Sequence, residues 1–402
     1  MKTVSYGKTK IACYLGYITQ AVTINLLPLL YVTFQREFSV TLAELGLLAT
    51  VIFVVQIGVD LLAARFSRYL SYRAGCVAAH VFAASGLILM SFLPSWLPQP
   101  YVGVLISALL LSVGGGLTEV LISPVVDAIP GEKKTGEMSL LHSFYCWGVV
   151  AVALFSALFF AVLGTDAWRG LVLLWALVPV ATMVLFAVVP LPPKPEERVL
   201  HKSASVPLMR RKWFWLFMAL MLCSGAAELG LAQWASLFAE RGLGVTKTMG
   251  DLLGPCAFAL CQGTARVTYA RLSARYDARC VLVLCAVGCV IGYAAIAASP
   301  WPPVSLLGFC LSGWCVGPMW PGVLSLASAR YPMGGTSMFA LLALCGDVGC
   351  SLAPAMVGAV SDGLQTVCSV ADALRIGFGV CTVFPVLLVL GLLLLRQRKN
   401  TH

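Results

Sequence analysis

The chain has 402 residues, of which 60% are hydrophobic and 11% charged, with a net charge of +10 and a mean hydropathy of +0.91. Soluble globular proteins average about 45–50% apolar and about 25% charged residues, so that class is excluded and a polytopic helical membrane protein is indicated. The fifteen cysteines lie scattered with no CxxC, and those five apart (Cys256/Cys261, Cys280/Cys285, Cys310/Cys315, Cys345/Cys350) are turned about 140° from each other on a helix. They read as small apolar filler.

Cutting at polar and Pro/Gly-rich punctuation leaves twelve apolar segments near the roughly 20 residues a bilayer requires. They run approximately 11–34, 43–64, 74–93, 101–127, 138–162, 169–190, 213–238, 250–270, 280–299, 304–327, 337–360 and 373–395. The opening MKTVSYGKTK is short and polar. The apolar run behind it is too long, and lacks the cleavage site, for a removable signal peptide, so it reads as a retained first span.

An even number of spans puts both termini on one side. Of the 27 basic residues, 22 fall on that side, Arg266 among them, and five (Arg36, Arg169, Arg241, Lys247 and Arg375) fall opposite. Cytoplasmic termini in a multi-pass bacterial cytoplasmic-membrane protein are therefore expected. The positive charge is then a topology signal with an attraction for lipid headgroups, and no nucleic-acid partner is implied.

The longest hydrophilic stretch, PPKPEERVLHKSASVPLMRRK (192–212), reads as a cytoplasmic linker between an N-terminal six-helix half, 1–191, and a C-terminal six-helix half, 213–402. Arg65, Ser67 and Arg73 recur 206 residues on as Arg271, Ser273 and Arg279, and Gln56 recurs as Gln262. Two six-helix halves repeated in parallel are the organisation of a secondary transporter with a midplane site between its halves.

Twelve spans, a basic central linker and a basic loop after the second span of each half resemble the major facilitator superfamily. The usual signature of that loop is G-x-L-a-D-R-x-G-R-R. FSRYLSYR (66–73) departs from it, with Arg68 in place of the aspartate and Ser71 in place of a glycine, so a latch built on that aspartate is not expected.

A narrower resemblance is to the fucose/glucose/galactose:proton symporter family. Glu119 followed by Ser123-Pro124 resembles the E-x-x-x-N-P of its fourth span, and Leu140–Gly148 (LLHSFYCWG) resembles its fifth. Gly225-Ala226-Ala227-Glu228 with Trp234 looks like its seventh span, and Gly346-Asp347-Val348-Gly349 with Pro354 and Gly358 is similar to eleventh-span patterns of relatives. The resemblance implies an all-α major facilitator fold, proton coupling and a sugar-like solute. Fucose permeases carry a further aspartate in the first span, where TINLLPLL offers Asn25; fucose itself and a two-carboxylate proton path like theirs are not expected.

Three acids lie well inside apolar segments: Glu119, Glu228 and Asp347. An ionised carboxylate at bilayer depth costs roughly 2.5–3.5 kcal/mol, so a chain that keeps one there usually uses it for protons, ions or substrate. These three, with His142 as a relay or a headgroup anchor, are the proton-coupling candidates. Other acids, Asp60 and Glu44 among them, sit at span ends, where solvated or capping roles are expected. Ser112, Gly115, Gly116, Glu119 and Ser123 share one helical face, a small polar stripe suited to lining a cavity.

Sugars are held by hydrogen-bonding side chains with an aromatic face against the ring. The substrate-binding candidates are Gln20, Asn25, Gln56, Tyr145, Trp147, Gln233, Trp234, Gln262, Trp314 and Trp320, each against the ordinary alternative of helix packing or an interface belt. No P-loop, metal-ligand cluster or Ser/His/Asp arrangement is present, so no enzymatic chemistry, ATP drive, cofactor or metal is expected. The expected function is secondary active uptake of a small polar solute, a sugar by class, coupled to protons or to sodium, by a carrier that works as a monomer and rocks two halves by alternating access. The alternatives are a proton-coupled efflux antiporter for drugs or metabolites, and a transporter-like receptor or lipid-handling protein.

Overall fold

The computed structural model describes residues 5–66, 69–194, 208–245, 250, 252–364 and 367–395. Arg68, the core of the linker (195–207) and the loop residues 246–249 lie outside the described residues. Within them the chain is helical, with no strand. The reason is physical: hydrocarbon offers no hydrogen-bond partner, so each apolar segment must satisfy its backbone internally.

Among the described residues, ten helical stretches are long and apolar enough to cross a membrane: Gly7–Leu29, Tyr72–Trp96, Pro100–Ala128, Lys134–Leu163, Thr165–Val188, Lys212–Glu240, Ala278–Ala298, Pro302–Arg330, Gly335–Leu364 and Val370–Leu394. Leu42–Phe66 and the helix formed by Leu252–Cys256 and Ala257–Leu272 supply the second and eighth spans, completing the twelve of the expected fold. Polar residues set several starts. Thr41 and Glu44 form a reciprocal capping box on the second span, with the Thr41 N–H donating to Glu44 Oε2 at 2.8 Å and the Glu44 N–H to Thr41 Oγ1 at 3.2 Å, which satisfies two otherwise orphaned donors.

Prolines interrupt the spans. The tenth is two helices, Pro302–Val316 and Met319–Arg330, and the twelfth is Val370–Cys381 and Val383–Leu394. Pro385 has no N–H for the carbonyl of Cys381, nor Pro321 for that of Gly317, and each ring crowds the carbonyl four residues back. The seventh span breaks after Ala232 and resumes at Ala235.

The chain forms two compact units. The first takes in the first four spans up to Glu132, Phe144 through the sixth span, and Pro332–Leu344; the second takes in Lys133–Ser143, the seventh to tenth spans up to Tyr331, and Cys345 onward. The fifth span therefore begins in the second unit, and the eleventh begins in the first. Ser139 Oγ donates to the Arg266 carbonyl at 2.7 Å within the second unit, and Ser337 Oγ to the Ala64 carbonyl at 2.9 Å within the first. The first unit centres on a core from Val22 through Trp168 to Ala176. There Phe34 packs edge-on against Trp168, and Trp168 Nε1 donates to Glu37 at 2.6 Å.

The internal repeat is visible in the hydrogen bonds. Ser71 and Asp277, 206 residues apart, cap the third and ninth spans by accepting from the N–H three residues on, at 3.1 and 3.0 Å. Two residues later Arg73 binds the carbonyls of Phe186, Ala187 and Val189 at the end of the sixth span. Its counterpart Arg279 binds Leu392 and Leu393, both at 2.7 Å, at the end of the twelfth. Phe186 and Leu392 are again 206 apart. Each arginine supplies donors and positive charge where a helix end presents orphaned carbonyls.

In the second unit the seventh and eleventh spans approach with almost nothing between their backbones. A Cβ at Gly349 would stand 2.0 Å from the Leu222 carbonyl oxygen, and one at Gly225 would stand 2.2 Å from that of Gly346. Small residues at helix crossings allow such approach. Gly349→Ala is expected to destabilise the protein by roughly 1–3 kcal/mol through overpacking, read as a lowered thermal-unfolding midpoint in detergent. Gly363→Ala, at a position with nothing within 4 Å of the added carbon, is expected to leave that midpoint unchanged.

Candidate functional site

Among the described residues, one polar cluster inside the spans of each unit is built on an acid. In the first, Glu119 Oε2 accepts two amide hydrogen bonds, from Gln20 Nε2 at 2.8 Å and from Gln56 Nε2 at 2.6 Å. The acid comes from the fourth span and its donors from the first and second. Both glutamines are buried, at 5% and 6% exposure, and Gln20 Oε1 has no protein partner.

The small residues of the fourth span make this reach possible. A Cβ at Gly115 would lie 3.0 Å from Thr23 Oγ1, and one at Gly116 would lie 3.1 Å from the Val59 side chain, so the first and second spans pack directly on that face. Tyr17 and Ser123 share a hydrogen bond at 2.7 Å. The stripe expected to line a cavity is thus a packing surface: Ser112, Gly115, Gly116 and Ser123 are all buried, because glycine and serine let neighbouring helices close over them. One turn toward the end of the first span, Asn25 Nδ2 donates to the Ala21 carbonyl at 2.9 Å and reaches the Tyr145 hydroxyl at 3.5 Å.

The second cluster is built around a residue the sequence reading misassigned. Arg266, counted there with the loop charges, is 3% exposed inside the eighth span. Its Nε donates to the Gly317 carbonyl at 2.9 Å, its Nη1 to the His142 carbonyl at 3.0 Å, and its Nη2 faces Glu228 Oε2 at 3.4 Å. Glu228 is an ion-pair partner with 13% side-chain exposure. Gln262, one turn before Arg266, is 4% exposed with its Nε2 unpartnered.

A signal for this arginine was present. Gln56 and Asp60 stand 206 residues before Gln262 and Arg266, so the shift that pairs the glutamines also pairs an acid with the arginine. Asp60, read as a solvated or capping residue at a span end, is 0% exposed. Repeat-equivalent positions one turn beyond the glutamines thus carry buried charges of opposite sign.

The sequence profile described as "Major Facilitator Superfamily" matches residues 13–259 and 243–402. The chain belongs to that superfamily. Solved structures agree on the fold. A major facilitator transporter, FucP, in the outward conformation is similar at 18% identity with a TM-score of 0.76, covering 95% of this chain and 98% of that one. A second structure, of the E. coli fucose:proton symporter FucP, gives the same identity and coverage with a TM-score of 0.75. The proton:xylose symporter XylE bound to 6-bromo-6-deoxy-D-glucose is similar at 12% identity with a TM-score of 0.80, covering 95% of this chain and 94% of that one. No curated protein sequence matches the chain.

The remaining candidates of this major facilitator protein divide. Asp347 is buried at 6% and His142 at 5%; the His142 carbonyl accepts from Arg266. Trp320 is buried at 8%, with its ring against Gly346, where an added Cβ would stand 2.2 Å away. Three candidates stand apart from both clusters. Trp314 is 43% exposed on a face suited to lipid. Gln233 is exposed in the break of the seventh span. Trp234 spends its indole N–H on the Pro354 carbonyl at 3.0 Å, so it ties helices together rather than offering a donor to a solute. Trp147 is half-buried and, two residues from Tyr145, points about 200° round the helix from it, away from the Asn25 contact.

A buried ion pair that loses one partner leaves an uncompensated charge. Arg266→Leu is therefore expected to destabilise the protein by about 3–5 kcal/mol, and the double variant Arg266→Leu/Glu228→Leu to recover part of that loss. Thermal unfolding of the purified variants in one detergent measures both.

Proposed function

We propose that this protein is a proton-coupled symporter for a small polyhydroxylated solute, a sugar by class, and that Glu119 carries the coupling proton. The observation that carries the reading is the Glu119 carboxylate held by the Gln20 and Gln56 amides inside the first unit. Protonation removes a charge whose burial is costly, and amide donors and acceptors around an acid are the groups with which hydroxyls exchange hydrogen bonds. Gln20, Asn25, Gln56 and Tyr145 in the first unit are the proposed solute contacts. Such polar groups favour a hydroxylated solute over the aliphatic and aromatic lining suited to drugs. Glu228 is proposed as the counter-ion of Arg266, and Asp347 as the rival proton site.

The reading further proposes a monomer in a bacterial cytoplasmic membrane, with both termini and the 192–212 linker on the cytoplasmic side and the two six-helix halves as the moving bodies. Neighbours of this fold include FucP, a fucose:proton symporter, and XylE, a proton:xylose symporter; a sugar for this chain is carried over from them as part of the proposal.

In a symporter the empty carrier reorients with its coupling acid neutral, because a bare carboxylate crossing the closed barrier bears the desolvation cost. Glu119→Gln mimics the neutral acid. It is expected to abolish accumulation of solute driven by a pH gradient in proteoliposomes while sparing solute exchange, since exchange needs only the loaded carrier to alternate. Accumulation at the wild-type level in Glu119→Gln would transfer the role to Asp347, tested in the same way by Asp347→Asn.

A further inference from the structure

The Gly317, His142 and Glu228 acceptors around Arg266 differ in one respect. The carbonyls of Gly317 and His142 carry a fixed partial charge, whereas Glu228 can be neutralised by a proton or claimed by a solute. Gly317 O is available because Pro321 has no N–H to return to it, and Arg266 Nε takes its place at 2.9 Å. His142 belongs to Lys133–Ser143, the opening turns of the fifth span, which pack within the second unit.

The same turns are held by the main chain of the arginine. Ser139 Oγ donates to the Arg266 carbonyl at 2.7 Å, and Gly136 lies so close that an added Cβ would stand 2.6 Å from the Ala270 carbonyl oxygen. Backbone and side chain of one residue therefore grip one segment, and the side chain also faces the acid of the seventh span at 3.4 Å.

We propose that Arg266 is a positioning residue that makes the seating of the opening turns of the fifth span depend on the charge of Glu228. With Glu228 ionised, the guanidinium is fixed by its counter-charge and presents Nη1 to the His142 carbonyl. With Glu228 neutral, the buried guanidinium loses the counter-charge of that acid and shifts away from it, and the bond to His142 loosens with it. The planar guanidinium suits this task because it reaches several acceptors at once, which a lysine ammonium, a compact point charge, does not reproduce. The inference rests on the carrier reading for its consequence in transport, but the contact itself is tested without transport. The His142 imidazole also lies within electrostatic range of the guanidinium, so the test removes charge at Glu228 by substitution at constant pH.

The experiment is amide hydrogen exchange on the purified full chain in lipid nanodiscs. Glu228→Gln keeps the size of the side chain and leaves both carbonyl acceptors of Arg266 in place. It is expected to speed exchange of the amides in 138–143 by roughly fivefold or more, as local opening of a packed turn does, while amides in 20–29 of the first span keep wild-type rates. An arginine that only staples helices together predicts wild-type exchange in 138–143 for this variant, and that result overturns the proposal. Arg266→Lys is expected to give the same acceleration; should it fail to fold, Glu228→Gln still decides. Glu119→Gln is expected to leave 138–143 unchanged, so failure of the proton assignment and failure of this inference give different results.

Discussion

A charge taken to bilayer depth has to be met by a donor or a counter-charge, and in a chain of separate spans that partner comes from a neighbouring helix. Glu119 meets the condition with two amides from two other spans. Amide side chains are short, so their backbones must come close, and the fourth span permits this by placing Gly115 and Gly116 where larger residues would hold the first and second spans away. The polar chemistry and the small residues are one design: removing the small residues would strand the acid, and removing the acid would leave the amides without their acceptor.

In the second unit the same condition is met with backbone as well as side chain. Pro321 interrupts the tenth span, the Gly317 carbonyl is released from its helical partner, and Arg266 takes it up along with the His142 carbonyl. Glu228 supplies the charge. A proline that costs a helix a hydrogen bond thus creates the acceptor that fixes a buried arginine. Trp234 and the Pro354 carbonyl form another link of this kind, between the seventh and eleventh spans.

The neighbouring structures separate fold from function. The proton:xylose symporter shares 12% identity yet has the higher TM-score, 0.80, against 0.76 for FucP at 18%. Span length, apolar pattern and small residues at crossings specify the fold with few shared identities. Function resides in the few polar side chains grafted onto it. The amide-held Glu119 and the Glu228–Arg266 pair are therefore where this chain has to be interrogated directly.

Span positions, the all-helical fold and the internal repeat were legible in the sequence, because hydropathy belongs to each segment and the repeat leaves matching residues at a constant offset. Arg73 and Arg279 were visible that way, and they cap equivalent helix ends. Glu119 stood out because an acid in an apolar run is conspicuous whatever surrounds it. Its partners needed the tertiary structure: Gln20 and Gln56 lie 99 and 63 residues away, and only the rotation and crossing of the helices turns them toward the acid. The tryptophans show the same limit. Trp314 and Trp320 lie six residues apart on one span, yet one is exposed and the other buried, a difference set by which neighbour each face meets. Arg266 was hidden because a positive charge near a segment end looks like a loop residue until the freed Gly317 carbonyl and Glu228 are seen beside it. The exchange of Lys133–Ser143 and Pro332–Leu344 between units likewise has no trace in composition, since it depends on contacts between segments distant in the chain.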